Sequence, residues 1–452
     1  MPLFEGQHVV IVGAGKSGLA AARLVARHGA RVTINDAQSE AQAAALIAAA
    51  KEIGAECVLG DHPDALFSSA DCLVLSPGVP PLASVDAAMA RGVRVLPEID
   101  LAAQFLDGTT VGITGSNGKS TVTTLVGEMA RRGARPSFMG GNLGDALTLA
   151  ADTAAAGPDG LVVAELSSFQ LERASQLRCH VAACLNITDD HLDRHGTFAA
   201  YAAAKGRVFA MQRRGDHAVV PAGDALCESL ARAGLGTLHT FGGSTGEVRV
   251  IDGTLVDLVS GLRVAVPELK LRGLHNQSNA CAAALLARLA GIGPEPIAEV
   301  LRSFEGLPHR MVHVRDLDGV AYFDDSKATN VGAAAAALDG LGELPGRVVL
   351  IAGGVDKGGS YAPIRARMAT AGRALVLIGA AAPLIRAAFE GSDVPVEDCA
   401  TLESAIAASR RRAAPGDAVL LAPACASFDM FRSYAHRGDE FQRLVRALPE
   451  GI

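Results

Sequence analysis

The sequence predicts an α/β protein built from three open, mostly parallel sheets. Three observations point there. Short apolar runs rich in Val, Ile and Leu recur along the chain and alternate with alanine-rich helical stretches. Two of the runs end in glycine turns that open a helix, and others end in loops dense with Asp, Asn, Lys and Ser, as the carboxyl ends of parallel strands do. At 452 residues the chain is also too long for one core, and about two to four domains are expected.

Bulk composition narrows the function classes. A hydrophobic content of 49% with 20% charged residues describes a folded chain rather than a disordered one. The net charge of -7 argues against wrapping a nucleic acid, while small anionic ligands held locally remain compatible. No uncharged stretch approaches the roughly 20 apolar residues of a membrane span, and no charged flank precedes an apolar signal core, so a cytoplasmic location is expected. Eight cysteines lie scattered without a Cys-x-x-Cys pair, which suggests reduced, mostly buried residues rather than disulfides or a zinc site.

In chain order, His8 to Val12 is an apolar strand, and Gly13-Ala14-Gly15-Lys16-Ser17-Gly18 turns from it into an alanine-rich helix. Arg31 to Asp36 is a second strand whose acid lies 18 positions after the last glycine. This is the G-x-G-x-x-G pattern, which alone suggests a nicotinamide oxidoreductase but reports only that a nucleotide or diphosphate sits at a helix N-terminus. Cys72 to Leu75 is a further strand, with Ser76-Pro77-Gly78-Val79-Pro80 as its rigid exit loop. The first domain is expected to end near Leu96, and a connector helix should run to about Leu106.

The second glycine turn is Gly115-Ser116-Asn117-Gly118-Lys119-Ser120-Thr121, which follows the strand Val111 to Thr114 and opens a helix expected at Val122. Its glycines turn the backbone N–H groups inward, Lys119 adds a positive charge, and Ser120 and Thr121 offer hydroxyls to a magnesium ion. Together they form a cradle for nucleotide phosphates. The strict Walker spacing wants glycine where Ile113 stands, so the general pattern is matched in its second half. Gly140 to Gly144 is another glycine turn, either a plain loop or one whose Asn142 bonds a phosphate.

Leu161 to Glu165 is a buried strand with a carboxylate at its tip, where P-loop domains hold magnesium. Val181 to Leu185 leads into Asn186-Ile187-Thr188-Asp189-Asp190-His191-Leu192-Asp193-Arg194-His195-Gly196, whose crowded ionisable groups suit metal and phosphate work. Tyr201 to Gln212 reads as a helix, with Lys205 an ordinary solvated lysine by periodicity. Leu271 to Asn279 caps a long apolar helix to about Leu289, serving either as a cap alone or as a grip on a base or ribose. A third unit opens near Leu307-Pro308-His309-Arg310. Its strands Val320 to Phe323, Arg347 to Ala352, Ala374 to Ile378 and Ala418 to Ala422 deliver polar loops at their carboxyl ends.

Assembled, ITGSNGKST, NITDDHLDRHG, LRGLHNQSN, FDDSKATN and APACASFDMF make the whole chain resemble the Mur ligases of bacterial cell-wall synthesis. The resemblance implies three domains: an N-terminal Rossmann-like UDP-binding sheet over 1–96, a central P-loop ATPase-type domain over 97–306, and a C-terminal Rossmann-like amino-acid domain over 307–452. It implies ATP-driven amide formation through an acyl phosphate, with D-glutamate added to UDP-N-acetylmuramoyl-L-alanine, two magnesium ions, and a monomer that engages neither nucleic acid nor membrane.

On the same resemblance Gly115 to Thr121, Asn276 and Arg310 contact ATP and Asp325 its ribose. Ser120 or Thr121 and Glu165 hold one ion, and His191 helps bind the other. Lys205 matches the family lysine that becomes N-carboxylated, and Lys119, Glu165, His191 and Lys205 are the catalytic set. Ser17, Asp36, Gly78 and Asn142 would take the UDP-sugar, and Thr329, Lys357, Ser427 and the backbone near Tyr434 would take D-glutamate. A sister ligase with another amino acid, a nicotinamide oxidoreductase and an NTP-driven switch are the competing readings.

Overall fold

The computed structural model describes residues 3–271, 273–342 and 345–451. Arg272, inside the LRGLHNQSN motif, lies outside the described residues. Twenty strands fall into three sheets among the described residues, and each sheet gathers a consecutive part of the chain.

The first sheet contains β1 (His8–Val12), β2 (Arg31–Asp36), β3 (Glu56–Leu59), β4 (Cys72–Leu75) and β5 (Arg94–Pro97), all parallel, in the order β3-β2-β1-β4-β5. Strand order reverses between β1 and its neighbours β2 and β4. That opens a crevice at their carboxyl ends, where the first glycine turn meets the Ser76 loop. The core strand β1 is buried along its whole length, and the helix Lys16–Arg27 lays its alanines on it. Gly18 is required there, because a Cβ at this position would run into the Gly13 carbonyl oxygen.

The middle sheet has nine strands: β6 (Thr109–Thr114), β7 (Ser137–Gly141), β8 (Leu161–Glu165), β9 (Val181–Cys184), β10 (His217–Pro221), β11 (Thr237–Phe241), β12 (Val248–Ile251), β13 (Thr254–Asp257) and β14 (Arg263–Ala265). Their order is β14-β13-β12-β11-β10-β9-β6-β8-β7, parallel except for the antiparallel β12-β13-β14 end. The strand that carries the second glycine turn, β6, sits between β8 and β9, so the carboxylate tip of β8 and the polar loop after β9 flank the cradle. The helix Leu274–Leu289 is buried through Ala280 to Ala287, because small side chains there let it lie close against the sheet and the helix Lys119–Arg132.

The third sheet joins β15 (Val312–Leu317), β16 (Val320–Asp324), β17 (Val348–Gly353), β18 (Gly372–Ile378), β19 (Val396–Asp398) and β20 (Ala418–Leu421) in the order β15-β16-β20-β17-β18-β19. Only β15 runs antiparallel to its neighbour. All eight cysteines are free, and each is buried or half-buried, as their scatter suggested. Among the described residues no helix is long and apolar enough to cross a membrane.

Several boundaries differ from the sequence expectation. The cradle helix begins at Lys119, not Val122, because Gly118 takes a left-handed φ of 84° and frees Lys119 to be the first helical residue. The connector helix spans only Glu98–Ala103. The Lys205 helix runs Phe198–Gly206 from a Thr197 cap, then tightens into a 3-10 turn at Arg207–Phe209. The motif expected to cap the long helix instead enters it, since helical backbone begins at Leu274 behind Gly273.

Candidate active site

The carboxyl ends of the middle and third sheets face each other across a cavity of about 710 Å³. Ser116 to Thr121, Asn142, Glu165, His191 and Lys205 line one wall, with Asn276 and Arg310 at its rim. Asp325, Thr329 and Lys357 line the other. Most sequence-nominated residues therefore share one space, although the sequence spreads them over more than half its length.

In the cradle Lys119 Nζ donates to the carbonyl oxygens of Gly115 at 2.7 Å and Ser116 at 2.9 Å. The buried Lys205 Nζ donates to the same Gly115 oxygen at 2.8 Å and lies 4.7 Å above the Tyr201 ring. Two lysine side chains thus crowd one carbonyl. Burial lowers the pKa of Lys119, while Glu165 and Asp190 oppose the shift. Burial, reinforced by Lys119, takes Lys205 well below the ordinary lysine range, toward the neutral amine. The turn itself is fixed by Asn186, whose side chain accepts from the Asn117 amide at 2.8 Å and donates to its carbonyl at 3.0 Å. Tyr201 OH is hydrogen-bonded to Ser116 Oγ at 2.9 Å.

Glu165 is 2% exposed at the end of β8. Its Oε1 accepts from Asn142 Nδ2 at 2.6 Å, and its Oε2 has no partner among the described residues. A buried carboxylate oxygen left open toward a cavity is costly unless a cation or donor completes it. His191 takes a left-handed φ of 53° after β9 and sets its ring against the Phe169 ring at 4.8 Å. Burial pushes its imidazole down to about 4, so it is neutral and able to ligate at ordinary pH. Among the described residues no group of three or more His, Cys, Asp and Glu side chains is arranged to hold a metal. A metal here would have to combine Glu165 with hydroxyls, water and ligand oxygens, a donor set that suits magnesium.

On the opposite wall burial raises the Asp325 carboxyl to about 7, with Arg310 pulling the other way. Lys327 Nζ sits 3.8 Å above the Tyr434 ring, and burial followed by Arg310 lowers it to about 8. Asn330 Oδ1 accepts from the Ala333 amide and so caps the helix Val331–Gly340. Behind this wall the buried Arg437 guanidinium donates to Ser326 O at 3.0 Å and Oγ at 3.0 Å, Cys425 O at 3.2 Å and Gly353 O at 3.5 Å. One side chain thereby ties the loops after β16, β17 and β20 into a single surface.

The nominated residues outside the cavity form two groups. Ser17, Asp36 and Gly78 cluster at the first sheet's crevice, where Asp36 Oδ2 accepts from the Ala14 amide at 2.7 Å and Ser76 Oγ donates to Gly13 O at 2.7 Å. Ser427 is buried beside the third sheet, and the Tyr434 carbonyl accepts from Ser326 Oγ at 2.8 Å, although the neighbouring Phe428 does line the cavity. Asn142 stands beside Glu165 in the central cavity, apart from the other three residues nominated for the nucleotide-sugar. Asn186, Asp190, Tyr201, Lys327, Asn330 and Arg437 had no assigned role in the sequence. Four of them, Asn186, Asp190, Lys327 and Asn330, lie inside the quoted motifs after β9 and β16, which was the available signal, whereas Arg437 sits in an amphipathic helix that reads as surface.

This arrangement, two α/β units meeting over a glycine-turn cradle with a third α/β unit before them in the chain, is shared with solved ligases. Over 98% of this chain and 99% of the other it superposes on the UDP-N-acetylmuramate-alanine ligase MurC of Thermotoga maritima with a TM-score of 0.61 at 18% identity. Over 99% of this chain and 97% of the other it superposes on the MurF ligase of the same organism, solved with ADP, with a TM-score of 0.62 at 16% identity. At such identities the likeness shows the fold.

The chain belongs to the Mur ligase family. The MurD-like N-terminal domain matches residues 7–97, the Mur ligase middle domain 113–287, and the Mur ligase glutamate ligase domain 309–425. The chain is 43% identical to the UDP-N-acetylmuramoylalanine--D-glutamate ligase of Desulfosudis oleivorans, over 99% of this chain and 98% of that one. To the enzyme of the same name from Myxococcus xanthus it is also 43% identical, over 98% and 99%.

Proposed function

We propose that this chain is the ATP-dependent ligase that joins D-glutamate to UDP-N-acetylmuramoyl-L-alanine in peptidoglycan precursor synthesis, working in the cytoplasm. The observation that carries the reading is the cradle, where the Lys119 ammonium and the Lys205 amine share the Gly115 carbonyl in a cavity also lined by Glu165, one of whose oxygens lacks a partner among the described residues. A carboxylate is a poor acyl donor because its oxygen leaves badly. Its oxygen therefore attacks the γ-phosphorus of ATP, ADP departs, and an acyl phosphate forms. The neutral amine of D-glutamate then adds to the acyl carbon, phosphate leaves with its bonding electron pair, and the amide nitrogen gives up a proton.

The physical difficulty is setting an anionic carboxylate against a polyanionic triphosphate. Lys119 supplies fixed positive charge between them in a site shielded from water. Magnesium, when bound, would spread the remaining phosphate charge, held by Ser120 or Thr121 and by Glu165, with His191 and Lys205 toward a second ion. The lowered pKa of Lys205 supports its N-carboxylation, because only a neutral amine adds to carbon dioxide. In this reading residues 1–96 take the UDP-sugar through Ser17, Asp36 and Gly78, Asn142 meets it from the central domain, and 97–306 take ATP, with Asn276, Arg310 and Asp325 completing its pocket. Residues 307–452 take D-glutamate through Thr329, Lys357, Ser427 and the backbone at Tyr434.

The test is a matrix of nucleotide-sugars against amino acids scored by ADP release and product mass. ADP release and an amide product only where UDP-N-acetylmuramoyl-L-alanine meets D-glutamate are expected. Phosphate release indifferent to both, or activity with another amino acid in place of D-glutamate, would overturn it.

A further inference from the structure

The polar contacts that close the central cavity converge on one carboxylate of the middle sheet. Asp190 is 6% exposed in the loop after β9. Its Oδ2 accepts from Asn330 Nδ2 at 2.9 Å, and its Oδ1 faces Lys357 Nζ at 3.4 Å. Both partners belong to the third sheet's loops. Asn330 Nδ2 also reaches Asn117 Oδ1 at 3.2 Å, and Gly332 lies close enough to Thr188 and Asn117 that a Cβ there would crowd both.

The two partners differ in how firmly their own unit holds them. Asn330 is anchored as the cap of the helix Val331–Gly340. Lys357 rises from a glycine-rich loop whose next residues, Gly358 and Gly359, take left-handed φ of 75° and 113°. Its only other polar neighbour is Thr329 Oγ1 at 3.5 Å among the described contacts. Charge-assisted contacts settle near 2.7–2.9 Å, so Lys357 is held loosely by two partners and keeps donor capacity for a third.

We propose that Asp190 is a positioning residue for the amino-acid subsite. From the middle sheet it holds Lys357 and Asn330 over the cavity, so that the place for the amino acid's carboxylate is complete only while the two sheets are closed on each other. Asp190 itself does not touch the reacting atoms. The proposal rests on the reading of Thr329 and Lys357 as the carboxylate site, and its test separates the two.

Asp190→Asn in the full chain keeps the shape and the bond to Asn330 but removes the charge that holds Lys357. The KM for D-glutamate should rise about tenfold, with kcat reduced less than threefold and the KM values for ATP and the nucleotide-sugar within about twofold. Small-angle scattering of the ligand-free variant should show a larger radius of gyration than the parent, and Asp190→Glu should recover part of the D-glutamate KM. Lys357→Met should expand the ligand-free chain to the same extent, and combining it with Asp190→Asn should add nothing further. This second variant carries the scattering test if Asp190→Asn fails to fold. An unchanged radius of gyration, or a D-glutamate KM within twofold of the parent, overturns the proposal. A parent chain that releases no ADP with D-glutamate overturns the ligase reading instead, while the scattering comparison still decides the role of Asp190.

Discussion

The two glycine turns share a backbone plan and differ in charge. At Gly13 to Gly18 the turn already holds an anion, since Asp36 accepts from the Ala14 amide, while Lys16 points out exposed. At Gly115 to Thr121 the turn holds the Lys119 ammonium, with the Lys205 amine on the same Gly115 carbonyl and no carboxylate hydrogen-bonded to either among the described residues. The glycine spacing sets the shape of each turn. The side chains over it decide whether a polyphosphate is drawn in or a hydroxyl-rich group is met by a carboxylate. The first fingerprint therefore does not by itself imply nicotinamide chemistry.

The largest effect expected from this contrast is on the cation over the second turn. Lys119→Ala should cost at least about 10²-fold in kcat with an unchanged circular dichroism spectrum. Lys16→Ala, at the corresponding place in the first turn, should leave kcat within about twofold. Equal losses from the two would erase the distinction. A smaller effect is expected from Asp36→Ala, which leaves the Ala14 amide without its acceptor. The KM for the nucleotide-sugar should rise about tenfold while kcat holds, in keeping with about 1–3 kcal/mol for an unmet buried donor. Steady-state kinetics would show whether kcat falls as well, which would place the first turn nearer the chemistry than its charge suggests.

The mildest test concerns Asp325 on the far wall. Burial raises its folded-state carboxyl to about 7, so the folded chain keeps a proton that the unfolded chain releases near 4. The folded state binds more protons between these values, so this group's contribution to stability falls as pH rises from about 4 to 7 and then levels. Asp325→Asn removes that loss. Its stability relative to the parent should grow by about 2 kcal/mol between pH 5 and pH 8, read from thermal melts at both pH values. A constant difference would mean that Arg310 already holds Asp325 ionised.

The strands β1, β2, β4 and β8 coincide with their sequence expectations residue for residue, because each is buried over most of its length on both faces and bounded by turn or polar residues. Several of the strands that escaped notice are of another kind. Ser137–Gly141 carries two glycines and little apolar content, and Val312–Leu317 alternates at a half-exposed edge. The antiparallel strands from Val248 to Ala265 are three or four residues each. The cradle helix is misread by one turn, because hydrophobic periodicity starts at Val122 while backbone geometry starts it at Gly118. Within the site, loops that follow apolar strands were legible as polar clusters. Lys205 was not, since its environment comes from the Gly115 carbonyl and the Tyr201 ring, and only the family resemblance pointed to it. Asp190 lay in plain view among charged neighbours, and its partners Asn330 and Lys357 come from segments 140 and 167 residues away.

The Arg437 guanidinium beneath the third wall constrains how such a wall can be inherited. Because Ser326, Gly353 and Cys425 all hang from it, chiefly by main-chain carbonyls, a chimera that imports one of these loops with a different backbone course would leave a buried cation short of acceptors. Grafts that carry the segments around 326, 353, 425 and 437 as a set should fold, and piecemeal exchanges should not.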